Sequence, residues 1–341
     1  MKRSKYAAAG LSLGGILEML LCGENEQENK TIKAEGKPAP SVYRVAVGVS
    51  DKREVVSVPL FENRILICGS SGSGKSVVAN QILNEIFRIP VEQRIVALVD
   101  LKGGIEIQPW IELADANARD AKYANLVISN IYREMTKRQD ILRSMNAKKL
   151  KPSEKFPLIV LFIDELAEIA ADKTGDKITD EYNRESMVFL KRIFRLGRAT
   201  GIVPIVCLQR PDSSILSGDL KNNIETSIVG KVRSAVDTKT IFGDSDTFPA
   251  HNLTGHWFYY VKGNKAAKFK TPYVPSAGDL SQEWNSTIAQ TKRPPSSRGK
   301  FLYFPKEIAK NAKKNEAKNE KKTKRAQPRK KAEENAKSFG F

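Results

Sequence analysis

The segment Gly69–Ser76, GSSGSGKS, combines glycines, hydroxyl side chains and one lysine in the pattern G-x-x-x-x-G-K-[ST]. Glycines let backbone N–H groups turn toward phosphate oxygens, and the helix N-terminus that follows adds its dipole. Lys75 can reach the β- and γ-phosphates, and the Ser76 hydroxyl can ligate Mg²⁺. The sequence therefore predicts a site for a nucleotide and Mg²⁺. The residues expected to contact the nucleotide are Gly69, Ser70, Ser71, Gly72, Ser73, Gly74, Lys75, Ser76 and Val77.

A second chemical feature is the pair of carboxylates that ends the apolar run Leu158–Ile163, LIVLFI. If this run is a buried strand, Asp164 lies beside the mouth of the P-loop, where it can hold Mg²⁺ through water. Glu165, the next residue, is then placed to polarise an attacking water. Two consecutive acids after a P-loop favour hydrolysis over transfer to a small acceptor.

Two further polar residues are candidates for catalysis. Gln209 follows the apolar run Ile202–Leu208, and its carboxamide there can read the γ-phosphate or the attacking water. Arg198 lies at the end of the preceding predicted helix, in LGRATG. It either complements the helix dipole or acts as an arginine finger on a neighbouring subunit's nucleotide.

The elements that must position these residues alternate between strand and helix. β-Branched alternation begins at Val42, in VYRVAVGVS and EVVSVPL. The alternation predicts an α/β P-loop NTPase domain with a mostly parallel central sheet covered by helices. The predicted strands are Arg64–Cys68, Arg94–Asp100, Leu158–Ile163, Ile202–Leu208, Ser227–Lys231, Trp257–Lys262 and Ala267–Tyr273. The predicted helices are Ser76–Phe87, Tyr123–Met145 and a segment near Arg184–Thr200.

Composition limits the classes of protein that remain. The 341 residues are 40% hydrophobic, which excludes wholesale disorder and provides for one large core or two modest ones. Three cysteines without zinc-type spacing indicate reduced thiols in a cytoplasmic protein. Two histidines exclude a histidine-rich metal centre.

The net charge of +18 is concentrated near the C-terminus. Residues 291–341 contain 17 Lys+Arg against 5 Asp+Glu, which is two thirds of the excess. This tail is helical or disordered, and it serves either as a solubilising extension or as a polyanion-binding segment. We divide the chain into an apolar segment with a polar linker (1–40), the ATPase domain (41–275) and the Lys-rich tail (276–341).

The N-terminal run of apolar residues leaves three interpretations open: a signal peptide, a membrane helix or a helix packed on protein. Residues 7–22 are 16 residues long, about 24 Å as a helix, which is short of the ~30 Å of hydrocarbon. Glu18 interrupts the run. We expect a cytoplasmic protein, with membrane association through residues 6–22 as an alternative.

Five motifs in this order resemble the FtsK/SpoIIIE family of DNA-translocating ATPases, of the wider HerA/FtsK group. They are GSSGSGKS, RIVALVDLKGG, LIVLFIDELAEI, LGRATGIVPIVCLQRP and KNNIETSIVGKVRSAVDTKTIF. The resemblance covers roughly residues 55–274. It implies a RecA-like fold and a hexameric ring that uses ATP hydrolysis to move double-stranded DNA through its pore.

The same resemblance assigns roles by position. Lys75 and Ser76 fall in Walker A, and Asp164 and Glu165 in Walker B. Gln209 matches the sensor of the QRP motif, and Arg198 matches an arginine proposed to act in trans. Against the family pattern, we find no multi-helix membrane domain and no C-terminal winged helix.

The function predicted from these observations is an ATPase that translocates double-stranded DNA. The segment VKGNKAAKFKTPYV resembles the ending of FtsK-like proteins on conjugative and mobile elements, which favours plasmid transfer or segregation. Expected partners are DNA, further copies of the chain and a membrane channel or relaxase. The alternatives are a protein-secretion motor and a nucleotide-switched adaptor that links DNA to a membrane channel.

Overall fold

The computed structural model describes residues 43–103, 107–111, 113–171 and 173–272. The predictions for residues 1–40 and 276–341 lie outside these ranges and stay predictions. In the described part of the chain, no helix has both the length and the apolar character needed to cross a bilayer.

Continuous apolar runs form the centre of a ten-stranded sheet. The strands are β1 (Arg44–Ser50), β2 (Val55–Pro59), β3 (Ile65–Cys68), β4 (Arg94–Val99), β5 (Ala116–Ala118), β6 (Leu158–Ile163), β7 (Ile202–Leu208), β8 (Thr226–Val229), β9 (Trp257–Lys262) and β10 (Lys265–Lys270). Every residue of β3, β4, β6 and β7 is buried, as expected of strands covered on both faces.

Helices connect the parallel strands. They are α1 (Lys75–Arg88), α2 (Gln108–Ile111), α3 (Ala121–Ser144), α4 (Leu166–Ala170), α5 (Lys177–Leu196), α6 (Gly218–Lys221) and α7 (Ala235–Phe242). Short 3₁₀ turns lie at Val91–Gln93, Gly197–Thr200 and Ala250–Asn252. The predicted helix near Arg184–Thr200 thus begins earlier, at Lys177, where Asp176 caps the first turn. This helix ends at Leu196 and is followed by the 3₁₀ turn Gly197–Thr200, which precedes β7.

The strand order is β2-β1-β10-β9-β8-β3-β7-β6-β4-β5. The six strands from β8 to β5 run parallel. The other four strands are joined antiparallel, through β9 on β8, β1 on β10 and the hairpins β9–β10 and β1–β2. The α/β P-loop architecture is therefore confirmed, and its parallel part places the carboxyl ends of β3, β6 and β7 side by side.

Candidate nucleotide site

The P-loop leaves β3 and enters α1, as its sequence context predicts. A Cβ at Gly69 would lie 2.4 Å from Ser73 Oγ, so the Ser73 side chain would have to shift to admit one. Gly72 and Gly74 have φ values of 78° and 90°, a backbone region that glycine adopts without strain. No side chain caps the N-terminus of α1. The loop therefore presents backbone N–H groups and a helix N-terminus to an anion.

Lys75 and Asp164 meet beneath this loop. Lys75 Nζ lies 3.8 Å from Asp164 Oδ1 and donates a hydrogen bond of 3.4 Å to the Asp164 carbonyl oxygen. Both side chains are buried. Asp164 follows the last residue of β6, and its backbone N–H donates to Val99 O of β4. The sheet thus places the Asp164 carboxylate next to Lys75, the residue that precedes Ser76.

Glu165 is held from two sides and is only 3% exposed. Both of its carboxylate oxygens accept the Gln209 backbone N–H, each at 3.2 Å. Oε2 also accepts a hydrogen bond from Lys102 Nζ at 2.9 Å. The parallel pairing of β6 with β7 explains the contact with Gln209, since both residues follow the carboxyl ends of neighbouring strands. Lys102 was not predicted as a site residue.

Burial affects the thiol that precedes the loop. Cys68, the last residue of β3, is fully buried. Burial raises the pKa of the Cys68 thiol well above its usual range, and the Glu165 carboxylate adds to this rise. The thiol is therefore neutral and packs as a small apolar side chain.

A cavity of about 500 Å³ opens above the P-loop. One wall is the loop with Val77, and the other is formed by Gln209, His256, Phe258 and Thr271. A second cavity of about 230 Å³ adjoins the loop on the side of Lys231 and Trp257. The wall residues beyond position 250 were not predicted. They follow the P-loop by about 180 to 200 residues, and the pairings of β9 with β8 and of β10 with β9 bring them there.

Arg198 lies away from this cluster. It occupies the 3₁₀ turn before β7, with 61% of its side chain exposed, and its Nε lies 3.9 Å from Glu225 Oε1. Glu225 also accepts a hydrogen bond from Arg64 Nε at 2.9 Å. Because β7 has seven residues, about 23 Å of strand separates Arg198 from Gln209. The structure thus brings together Lys75, Asp164, Glu165 and Gln209 and places Arg198 at the opposite edge of the sheet.

Comparison with known proteins shows similarity to one family of ATPases. The model of the FtsK/SpoIIIE family matches residues 28–156. The DNA translocase FtsK of Helicobacter pylori strain ATCC 700392 / 26695 is 30% identical in an alignment of length 284 that covers 72% of this chain and 32% of that protein. The DNA translocase FtsK of Staphylococcus aureus strain Mu50 is 28% identical in an alignment of length 257 that covers 69% of this chain and 31% of that protein. The chain therefore spans about a third of the length of these relatives.

Two solved structures have the same fold. The pCW3 conjugation coupling protein TcpA, in its monomer form with ATPgS, has a TM-score of 0.65 and is 24% identical over 74% of this chain and 72% of TcpA. The cytoplasmic domain of the Type VII secretion ATPase EccC from Thermomonospora curvata has a TM-score of 0.59 and is 20% identical over 76% of this chain and 32% of EccC. The family resemblance predicted from the motifs is confirmed.

Proposed function

We propose that this chain, whose sequence resembles the FtsK/SpoIIIE family, is an ATP-driven motor that moves double-stranded DNA through a ring of subunits. The observation that carries the proposal is the division of the candidate catalytic residues between two edges of one sheet. Lys75, Asp164, Glu165 and Gln209 lie together at the carboxyl edge, and Arg198 lies at the amino edge. A complete site of this composition requires two copies of the chain.

The residues at the carboxyl edge fit a nucleoside triphosphate with Mg²⁺. Ser73 Oγ is buried and has no hydrogen-bond partner within the described residues, and open space surrounds Gly72. Backbone N–H groups of the loop and Lys75 would bind the phosphates, while Ser76 and Asp164 would hold Mg²⁺. Bound Mg²⁺ supplies positive charge that neutralises the phosphate oxygens. Lys75 must move from Asp164 toward the phosphates when the nucleotide enters.

Hydrolysis requires a group that orients water and accepts its proton. Glu165 takes this role in the proposal: the water oxygen bonds to the γ-phosphorus, the bond to the β-phosphate oxygen breaks, and the water proton passes to the carboxylate. The products are ADP and inorganic phosphate. Gln209 contacts Glu165 through its backbone, so loss of the γ-phosphate can be transmitted along the segment that follows β7.

Arg198 completes the site of a neighbouring subunit in this proposal. An arginine beside the γ-phosphate stabilises the charge that develops during its transfer. Its position about 23 Å from Gln209 excludes contact with the nucleotide of its own subunit. Contact between unlike edges of neighbouring copies is head-to-tail, and repetition with closure generates a ring. We propose a homohexamer on the basis of the family resemblance.

Double-stranded DNA is the proposed substrate because two matched relatives are DNA translocases and the chain carries an excess of 18 positive charges. Phosphate contacts by Lys, Arg and backbone N–H groups carry no sequence information, which suits movement along any duplex. We propose transfer of a plasmid or mobile element, with a relaxase or membrane channel as partner. The likeness of fold to TcpA is compatible with this setting.

The test is steady-state ATP hydrolysis by the whole chain without DNA, with single strands and with duplex. We expect strong stimulation by duplex and loss of all hydrolysis in Lys75→Ala. Stimulation by single strands alone would replace the duplex by a single-stranded substrate. Equal rates under all three conditions would favour the protein-secretion motor or the nucleotide-switched adaptor, since the secretion ATPase EccC also has this fold.

A further inference from the structure

Lys102 blocks the carboxylate that the proposed hydrolysis needs. A carboxylate has about four acceptor positions on its two oxygens. Three of these positions are occupied. The Gln209 backbone N–H lies 3.2 Å from each oxygen, and Lys102 Nζ lies 2.9 Å from Oε2. With the side chain 3% exposed, water has little access to the position that remains. In this arrangement Glu165 is bound to protein groups at the place where it should bind the attacking water.

The two contacts differ in how easily they can be released. Gln209 holds Glu165 through a backbone N–H at the end of a buried strand, so this contact moves only with β7. Lys102 holds it through a long side chain, 33% of which is exposed to solvent. The Lys102 backbone is fixed separately, because its N–H donates to Asp100 Oδ1 at 2.9 Å. The Lys102 side chain can therefore swing outward while its turn stays in place.

We propose that Lys102 is a lock on Glu165, and that a phosphate of the DNA backbone opens it by taking the Lys102 ammonium group. Release of Lys102 leaves the buried Glu165 carboxylate without its charged partner, which is costly, so an anion that binds the Lys102 ammonium group more strongly than water does must offset that cost. The inference rests on the proposed function, since it assumes that Glu165 serves ATP hydrolysis and that DNA is the substrate.

The shared chemistry is a phosphate, which both DNA and the γ-phosphate of ATP provide. The sheet favours DNA as the source. Lys102 follows β4, and the strand β6 that precedes Glu165 lies between β4 and the strands β7 and β3 that lead to Gln209 and the P-loop. Lys102 therefore reaches Glu165 from the side away from the P-loop, with 33% of its side chain exposed to solvent, and Lys75 already serves the nucleotide phosphates. Coupling through Lys102 would allow ATP hydrolysis only where DNA is engaged.

The experiment compares hydrolysis by the wild-type chain, Lys102→Gln and Lys102→Arg at saturating ATP, with and without duplex. Lys102→Gln removes the charge at similar length, and we expect its DNA-free rate to rise about ten-fold toward the duplex-stimulated rate of the wild type. Lys102→Arg keeps the ion pair and should retain low basal hydrolysis and stimulation. Lys148→Gln, in an exposed turn after α3, controls for loss of a surface charge.

The outcomes separate the lock from the proposed function. A DNA-free rate of Lys102→Gln that is unchanged or lower overturns the lock, because Lys102 then assists or ignores Glu165. If Lys102→Gln hydrolyses ATP faster than the wild type but duplex does not stimulate the wild type, release of Lys102 by DNA is overturned. Release is then assigned to the γ-phosphate. Loss of hydrolysis in Lys75→Ala, measured in parallel, verifies that the rates come from this site. The hydrolysis rate of Lys102→Met and the thermal unfolding of each variant test whether a change in rate is a merely structural effect.

Discussion

Removal of the Arg198 side chain should abolish hydrolysis in a way that a second, different mutant can repair. In Arg198→Ala each subunit keeps its own P-loop but offers no arginine to its neighbour. The turn before β7 is about 23 Å from Gln209, so Arg198 cannot serve its own nucleotide. Loss of an arginine finger lowers hydrolysis by about 10³-fold or more. Arg198→Ala alone should therefore be nearly inactive while it still binds nucleotide.

Lys75→Ala subunits have the opposite defect, since they lack a functional P-loop but present Arg198. In a random equal mixture about a quarter of the sites pair an intact P-loop with an intact arginine, because each condition is met at about half of the positions. We expect about a quarter of the wild-type rate, measured as phosphate release against total protein. In the control, each mutant is mixed with an unrelated protein that has no ATPase activity.

Two results would refute this reasoning. A mixture no faster than its two components would show that Arg198 does not act across subunits. Hydrolysis by Arg198→Ala within a few fold of the wild-type rate would show that the exposed arginine serves only its ion pair with Glu225, 3.9 Å away.

Two further predictions concern the site itself. Glu165→Gln should bind a fluorescent ATP analogue as the wild type does and release phosphate about 10² to 10⁴ times more slowly, because the amide accepts no proton from water; hydrolysis within two-fold of the wild type would contradict the assignment. Gly230→Ala should lower the stability of the fold by about 1–3 kcal/mol in chemical denaturation and weaken nucleotide binding, because a Cβ there lies 2.7 Å from the ring of Phe258 on the cavity wall. Gly218→Ala, whose Cβ would have only a contact at 4.0 Å, should change neither measurement.

Local patterns were sufficient for the parallel half of the fold. The bounds of β6 and β7 agree with the apolar runs Leu158–Ile163 and Ile202–Leu208, and α1 follows the P-loop as predicted. These runs are readable because strands buried on both faces need unbroken apolar sequence, and because the P-loop requires glycine at fixed positions. The roles of Lys75, Asp164, Glu165 and Gln209 remain predictions that their meeting at one edge supports.

The tertiary structure decided what depends on contacts between distant residues. No local pattern could show that Lys102 would lie 2.9 Å from Glu165, because the two residues are 63 positions apart along the chain. They follow β4 and β6, two strands that become neighbours only in the sheet. The same holds for Phe258 on the wall of the cavity, which depends on an antiparallel strand added to a parallel sheet. Sequence periodicity reports which side of an element is buried, whereas strand order and register arise from long-range pairing. The sequence thus determined the chemical groups of the site, and only the packed sheet decided their partners and placed Arg198 at its opposite edge.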